Sequence, residues 1–383
     1  MPWQEASIVS LRQEFCAVAR RPGMSMAEAC RRFQISRKTG YKWLARCDAG
    51  TSDGVADRPR RPHTSPRQTN PEQEASVLAL RDAHPTWGGR KLKRRLEDQG
   101  LVAPAASTIT AILRRHDRLP PDDPVHHPAW HRFEHPRPND LWQLDFKGDF
   151  AVGAGRCYPL MVLDDHSRFV LGLRACGDQR GITVRPILTE LFTRYGLPWA
   201  VLCDNGGPWG TVHAEGGLTR LSAWLIRLGI RVIHGRPVHP QTQGKLERVN
   251  RTLAADVLAT PRYQDLTGCQ VAFDAWRDCY NRERPHQAIG MATPVTRFTL
   301  SPRPFPITQP PLSYESSDQI RKVSANGDIE FRGRRHKASK AISGECVGIR
   351  ATTIHEVWDV YYAYLRIRTL DLRPSARIED EIW

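Results

Sequence analysis

Asp145, Asp204 and Glu247 are three carboxylates whose settings point beyond ordinary surface charge. Asp145 lies in LWQLDFKGDF, a strict alternation that sends Trp142, Leu144 and Phe146 to one face of a strand. Gln143, Asp145 and Lys147 take the other face. Aspartate is depleted in strands, so its place opposite a wholly apolar face is notable. Asp204 ends the apolar run WAVLC and opens Asp204-Asn205-Gly206, a turn sequence. Glu247 sits in HPQTQGKLERVNRTL, where Leu246, Val249, Leu253 and Val257 follow helical spacing and form a core stripe. Gln243, Glu247, Asn250 and Arg251 flank that stripe, so Glu247 borders the buried face. Taken singly, these are a polar-face aspartate, a turn and a solvated helical charge. Brought together, they would repel one another and need a counter-charge. Hard oxygen donors favour Mg2+ or Mn2+. Two such ions about 4 Å apart promote in-line phosphoryl displacement.

The elements needed to position them are legible around them. RCYPLMVLDDHSRFVLGLRA reads as two strands joined at Asp165-His166-Ser167. A helix is predicted over about 180–195, a short strand at WAVLC, a helix at LTRLSAWLIRLG and a strand at IRVIH. Hairpin-linked strands followed by alternating helix and strand predict a mixed α/β sheet with helices packed on it. Asp149, Asp164 and Asp165 read as turn residues.

Three Pro-rich stretches, 51–70, 117–138 and 301–311, divide the 383 residues into four segments, 1–50, 70–117, 139–298 and 312–375. In the first, Ser25 with Glu28 forms a capping box and Ser36 caps a second helix. That is a helix-turn-helix pattern presenting Arg37, Lys38 and Lys42 outward. In the second, Asn70-Pro71 starts a helix, RKLKRRLEDQG is a short basic helix stopped by Gly100, and Ser107 opens a third. In the last, Asn326-Gly327 signals a hairpin, and later runs of strand predict a small β-barrel. Arg332, Arg334, Arg335, Lys337 and Lys340 make its hairpin basic.

A formal charge of +15 points to a polyanionic partner, nucleic acid first. No apolar run of about 18 residues and no signal peptide is present, which argues against a membrane protein. Nine scattered cysteines without C-x-x-C fit reduced thiols in a cytosolic compartment. His126, His127, His131 and His135 lack a neighbouring cysteine pair and lie among prolines, so they read as linker rather than zinc site.

TWGGRKLKRRL, LWQLDFKGDF, LDDHSRFV, LCDNGGPW and HPQTQGKLERVNRTL follow one another in this order. They resemble the motifs of bacterial insertion-sequence transposases with a retroviral-integrase-type catalytic core. The resemblance covers nearly the whole chain. It implies a multidomain α/β protein with N-terminal helix-turn-helix domains, an RNase H-like core and a small C-terminal β-barrel. It implies a DDE triad, which falls on Asp145, Asp204 and Glu247, holding two Mg2+ or Mn2+ ions. Double-stranded DNA is the implied partner, both the element's terminal inverted repeats and the target, bound by a homo-oligomer in the bacterial cytoplasm at the nucleoid. Arg37, Lys38, Lys42, Arg90, Lys91, Lys93, Arg94, Lys245, Asn250 and Arg251 are the expected DNA contacts.

Two departures stand out. Between Asp204 and Glu247 lie 42 residues, longer than is usual among relatives, with the extra length around WGTVHAEGG. Relatives often carry a cation seven residues after the glutamate, where this chain has Ala254; Arg251, one turn from Glu247, could take over that contact. Ala254 keeps open a reading of another class, a transposase-derived regulator that binds repeats without catalysis. A metal nuclease that only hydrolyses would share the triad, but it explains two recognition modules less well.

Overall fold

In the first of the two compact units, Met1–Gln68, short helices are started by side-chain caps. The computed structural model describes residues 7–49, 56–57, 68–119, 134–153, 155–210, 217–235, 244–259 and 263–373. His126, His127 and His131, the HPQTQ stretch and residues 211–216 of the expected insertion lie outside them. Helices α1 (Ile8–Ala19), α2 (Met26–Arg32) and α3 (Arg37–Asp48) make up this unit. Ser25 accepts from the Glu28 amide and Ser36 from the Thr39 amide, but the Ser25–Glu28 capping box is not closed, because the Glu28 carboxylate pairs with Arg31. The first helix was not read from the sequence; its Phe15 and Cys16 complete a core with Ala29, Cys30 and Trp43. Gly40 permits the close approach of α3, because a Cβ there would lie 2.5 Å from Cys30 Sγ.

The second unit, Thr69–Trp383, opens with α4 (Pro71–Ala83), α5 (Gly89–Asp98) and α6 (Ala106–Arg115). Asn70 caps α4 with proline at its first position, and Gly100 ends the basic helix at φ 75°. Ser107 does not open α6: the N-cap is Ala105, without a side-chain bond, and Ser107 already lies in the first turn. Trp87, Leu92, Ile109 and Leu113 fill the core of this three-helix module.

The core follows with β1 (Leu141–Phe146), β2 (Phe150–Val152), β3 (Gly155–Asp164), β4 (Val170–Cys176), α7 (Gly181–Tyr195), β5 (Ala200–Cys203), α8 (Arg220–Arg227), β6 (Arg231–His234), α9 (Gly244–Leu253) and α10 (Leu266–Arg282). The strands run β4–β3–β1–β5–β6 across the sheet, with β2 also paired to β3. β3 is antiparallel to β1 and β4, whereas β1, β5 and β6 are parallel. This is an RNase H-like fold. Trp142 and Leu144 pack against Leu188 and Phe192 of α7 and Leu221 and Leu225 of α8. On the opposite face, Met161 and Leu163 meet Leu246, Val249 and Leu253 of α9 and Phe273 of α10. The predicted stripe on α9 is therefore buried. The helix runs on as a π-helical turn, Ala254–Leu258, which no sequence signal marked.

The C-terminal module contains β7 (Gln319–Lys322), β8 (Asp328–Phe331), β9 (Arg334–Lys337), β10 (Cys346–Ala351), β11 (Val357–Tyr362) and β12 (Leu365–Asp371). It is a four-stranded antiparallel sheet, β12–β11–β10–β7, with β8–β9 as a separate hairpin over a shared core. The hairpin turn is Arg332-Gly333, at φ 51° and 71°, the two positive values that a tight two-residue loop needs. Asn326-Gly327 instead carries the chain from one sheet to the other. A Cβ at Gly327 would come 2.6 Å from the Lys340 amide, so the turn is packed down rather than paired.

Leu218, Ala223 and Ile226, at and along α8, belong to the C-terminal module's core, and Arg227 pairs with Glu345 at 2.6 Å. Core and C-terminal module thus share one helix. No helix among the described residues is long and apolar enough to cross a membrane. Ile226→Ala is expected to cost about 2–4 kcal/mol, as for other fully buried truncations. In calorimetry of the full chain, core and C-terminal module should shift together, and a shift confined to one separate transition would contradict the shared packing.

Candidate active site

Strand register builds the first half of the site. Leu141 stands opposite Ala200, Trp142 opposite Val201 and Gln143 opposite Leu202. Continued by two residues, the same register sets Asp145 opposite Asp204, on parallel strands about 4.8 Å apart. Trp142 and Leu144 face α7 and α8, so alternation turns Asp145 toward the face covered by α9. Asp204 is the first residue past β5. The Gly206 amide donates to its Oδ1 at 3.2 Å, and Asn205 Nδ2 ties the turn to the Gly235 carbonyl at 2.9 Å.

Burial and the neighbouring Asp204 push the Asp145 carboxyl up to about 6. Asn250 on α9 donates through Nδ2 to Asp145 Oδ2 at 3.3 Å, which partly offsets that shift. Its own buried Oδ1 meets no partner, nor does the buried Oε1 of Gln143, two residues before Asp145. Among the described residues, no cation pairs with Asp145 or Asp204. Two adjacent carboxylates with no cation paired to them would suit a hard divalent ion, since Mg2+ commonly takes one or two carboxylates and keeps water for its other positions.

Glu247 lies on α9, three residues before Asn250 and one turn toward the helix start. Its side chain is 64% exposed and pairs with Arg251 at 3.2 Å. Asp145, Asp204 and Glu247 do not bring one oxygen each within 4.8 Å of the others. Two members are assembled by strand pairing, and α9 carries the third, which is turned to Arg251. An exposed i,i+4 pair contributes roughly 0.3–0.5 kcal/mol, so it is a weak competitor for a divalent ion.

The other residues singled out in the sequence divide by their partners. Arg37, Lys38 and Lys42 are exposed on α3, with Lys42 over the Trp43 ring at 5.0 Å. On α5, Arg90 is exposed, but Lys93 pairs with Glu97 and Arg94 with Asp98. Lys91 is half-buried and pushed down to about 8 by desolvation, with Arg284 and Arg248 adding to the shift. Lys245 does not stand free, because its Nζ lies 2.6 Å from Asp165 Oδ2. Asn250 is held on Asp145 and Arg251 on Glu247.

Asp164 and Asp165, read as turn residues, are both buried. Asp164 accepts from the Asn139 and Ser167 amides at 2.7 and 2.8 Å, and Asp165 from Gln143 Nε2 at 2.7 Å. The signal for them was the unbroken apolar run before Asp164, which marks a strand buried on both faces. Elsewhere, His84, Cys279 and Glu283 form the group whose ligating atoms do lie within 4.8 Å. Glu283 is taken by Arg95 at 2.8 Å, and burial pushes the Cys279 thiol up to about 11, so this group suits a cation poorly.

Comparison with known proteins places these elements. Residues 135–240 and 228–294 match models of the integrase core domain. Residues 39–113 match a homeodomain-like domain, and 318–377 match the C-terminal domain of IS481 family transposases. The chain therefore carries an integrase core joined to an IS481-type transposase C-terminal domain. It is 31% identical over 191 residues to a Gag-Pol polyprotein of baboon endogenous virus, covering 48% of this chain and 10% of that one. It is 30% identical over 158 residues to an insertion element IS476 protein of Xanthomonas euvesicatoria, covering 41% of this chain and 44% of that one. The chain thus spans less than half the length of either relative. The catalytic core of BIV integrase aligns at 23% identity and TM-score 0.30, over 41% of this chain and 92% of that one. A simian T-cell lymphotropic virus intasome chain aligns at 15% and 0.37, over 74% and 91%.

A carboxyl raised to about 6 costs the fold stability above that pH, and the cost is relieved as pH falls through it. Asp145→Asn, measured without metal, is expected to be more stable than the parent by about 1–3 kcal/mol at pH 8. That advantage should fade as pH falls toward 4. Thermal melts across this range check the sign, and a variant less stable than the parent at pH 8 would contradict the site's electrostatics.

Proposed function

We propose that this integrase-core chain is a DDE transposase that cuts DNA at the ends of its element and joins the released 3′-OH to target DNA. The observation that supports the reading is the β1–β5 register, which sets Asp145 opposite Asp204 with no cation paired to either among the described residues, while α9 carries Glu247 one turn from Asn250, the residue that meets Asp145. Asp145, Asp204 and Glu247 would hold two Mg2+ or Mn2+ ions. Bound there, such ions supply the positive charge that phosphoryl displacement needs at the attacking and leaving oxygens.

The protein's part is positional. Strand pairing holds Asp145 and Asp204 at fixed spacing, and Asn250 orients the Asp145 carboxylate through one oxygen. Above pH about 6 that carboxyl is ionised even without metal, so the site is ready to bind at neutral pH. In the first step, water attacks a phosphodiester at the element end; one P–O bond forms, one breaks, and a 3′-OH leaves. In the second, that hydroxyl attacks a target phosphodiester in the same in-line manner. Each step exchanges one P–O bond for another, so neither ATP nor a covalent enzyme intermediate is required.

Recognition would fall to the helical modules. Arg37 and Lys38, exposed at the start of α3, would make groove and phosphate contacts with a terminal inverted repeat. On α5, the exposed Arg90 would make the leading contact, since Lys91 is half-buried and Lys93 and Arg94 are already paired. Cutting two ends together calls for a homo-oligomer on double-stranded DNA, acting at the nucleoid in the bacterial cytoplasm. One observation favours a catalytically silent, repeat-binding regulator instead: Arg251, the substitute for a cation at Ala254, is engaged by Glu247.

The deciding comparison is Asp204→Asn against the parent chain, with Mg2+ or Mn2+ and DNA flanking the element. Metal-dependent nicks at fixed ends and joined products should appear with the parent and be abolished in the variant, while repeat binding is unchanged. Specific binding without product in either metal would establish the regulator, and loss of binding or folding in the variant would remove Asp204 from the metal site.

A further inference from the structure

Asp165 sits at the tip of the β3–β4 hairpin with its side chain 2% exposed, and it gathers three separate pieces of the core. Its Oδ1 accepts from Gln143 Nε2 at 2.7 Å, on the β1 face that also carries Asp145. Its Oδ2 accepts from the His135 amide at 2.9 Å, where the chain enters the core. The same oxygen takes the Lys245 ammonium at 2.6 Å, in the first turn of α9. The hairpin tip is itself braced by Arg168, which donates to the Asp165 carbonyl at 2.8 Å.

Lys245 precedes Glu247 by two residues, and Asn250 follows it by three. Each is tied to an aspartate of the sheet layer, Lys245 to Asp165 and Asn250 to Asp145. Glu247 thus lies between two polar anchors on one helix. Leu246, Val249 and Leu253 press α9 onto the sheet, but apolar packing is non-directional and tolerates rotation. A buried, charge-assisted hydrogen bond has a preferred distance and angle, so it sets the register that the apolar stripe leaves free.

We infer that the Asp165–Lys245 ion pair is a positioning device that fixes the rotation of α9 and so holds Glu247 where it can turn from Arg251 toward Asp145 and Asp204. This rests on the metal-site reading above. In this reading both residues act through Glu247 rather than on the metal itself. A lysine two residues before the glutamate thereby serves the protein interior rather than the substrate.

The test is Mn2+ binding to the full chain, followed by the electron paramagnetic resonance of free Mn2+, with melting curves and repeat binding measured alongside. Lys245→Met removes a positive charge near the site, so electrostatics alone would tighten Mn2+ binding. Loss of positioning does the reverse, and a weakening of about tenfold is expected, as for other outer-sphere partners of metal ligands. The weakening should not add to that of Glu247→Gln, because both changes act on one ligand. D165N/K245M leaves no unpaired buried charge and should weaken binding similarly, which keeps the measurement available where a single variant fails to fold. Unchanged or tighter Mn2+ binding in K245M and in the double variant, or additivity with E247Q, would overturn the inference. If D204N and E247Q both bind Mn2+ as the parent does, the metal-site reading itself fails, and the inference falls with it.

Discussion

The parallel pairing of β1 with β5 is the constraint from which the rest of the site follows. It stands Asp145 and Asp204 side by side, and burial raises the Asp145 carboxyl to about 6. Like charges this close are costly, so the sheet holds an electrostatic debt at its centre that only a cation or protonation relieves. The arrangement persists because both faces of the sheet are well packed, with Trp142 and Leu144 on one side and Met161 and Leu163 on the other. A site that is strained when empty is a site whose fold is linked to its ligand.

The surrounding architecture serves that pair in two ways. Helix α9 is fixed at both ends of its functional segment, by Lys245 on Asp165 and Asn250 on Asp145. Helix α8 links core and C-terminal module, with Leu221 and Leu225 in one core and Ala223 and Ile226 in the other. Motion of the C-terminal module would therefore reach the strands on either side of α8, β5 and β6. The exposed Glu247–Arg251 pair is the least constrained part of the site.

Much of this was legible in the sequence because period and chemistry agreed. The alternation in LWQLDFKGDF gave the correct faces for Asp145 and Trp142, and the stripe at Leu246, Val249 and Leu253 lies buried as its spacing required. Caps at Ser25, Ser36 and Asn70 worked because they are local, each bond closing within three residues. Three things were not legible, each depending on remote partners. Asp165 is the turn residue that was expected, but its burial was hidden because Gln143 and Lys245 meet it only in the fold. The internal acceptors of Lys245 and Asn250, expected as DNA contacts, were hidden because a basic or amide side chain does not announce a partner inside the fold. Asn326-Gly327 carried the stronger hairpin signal, yet Arg332-Gly333 makes the turn, since strand partners are chosen by packing across the module.

One measurement addresses the central claim directly, a crystal structure of the full chain soaked in Mn2+ and recorded at a wavelength where manganese scatters anomalously. The expected result is an anomalous peak between Asp145 and Asp204, with Glu247 released from Arg251 and turned toward the same density. A peak at His84, Cys279 and Glu283 with none at the two aspartates, or Glu247 still on Arg251 beside an occupied site, would contradict a three-carboxylate metal centre.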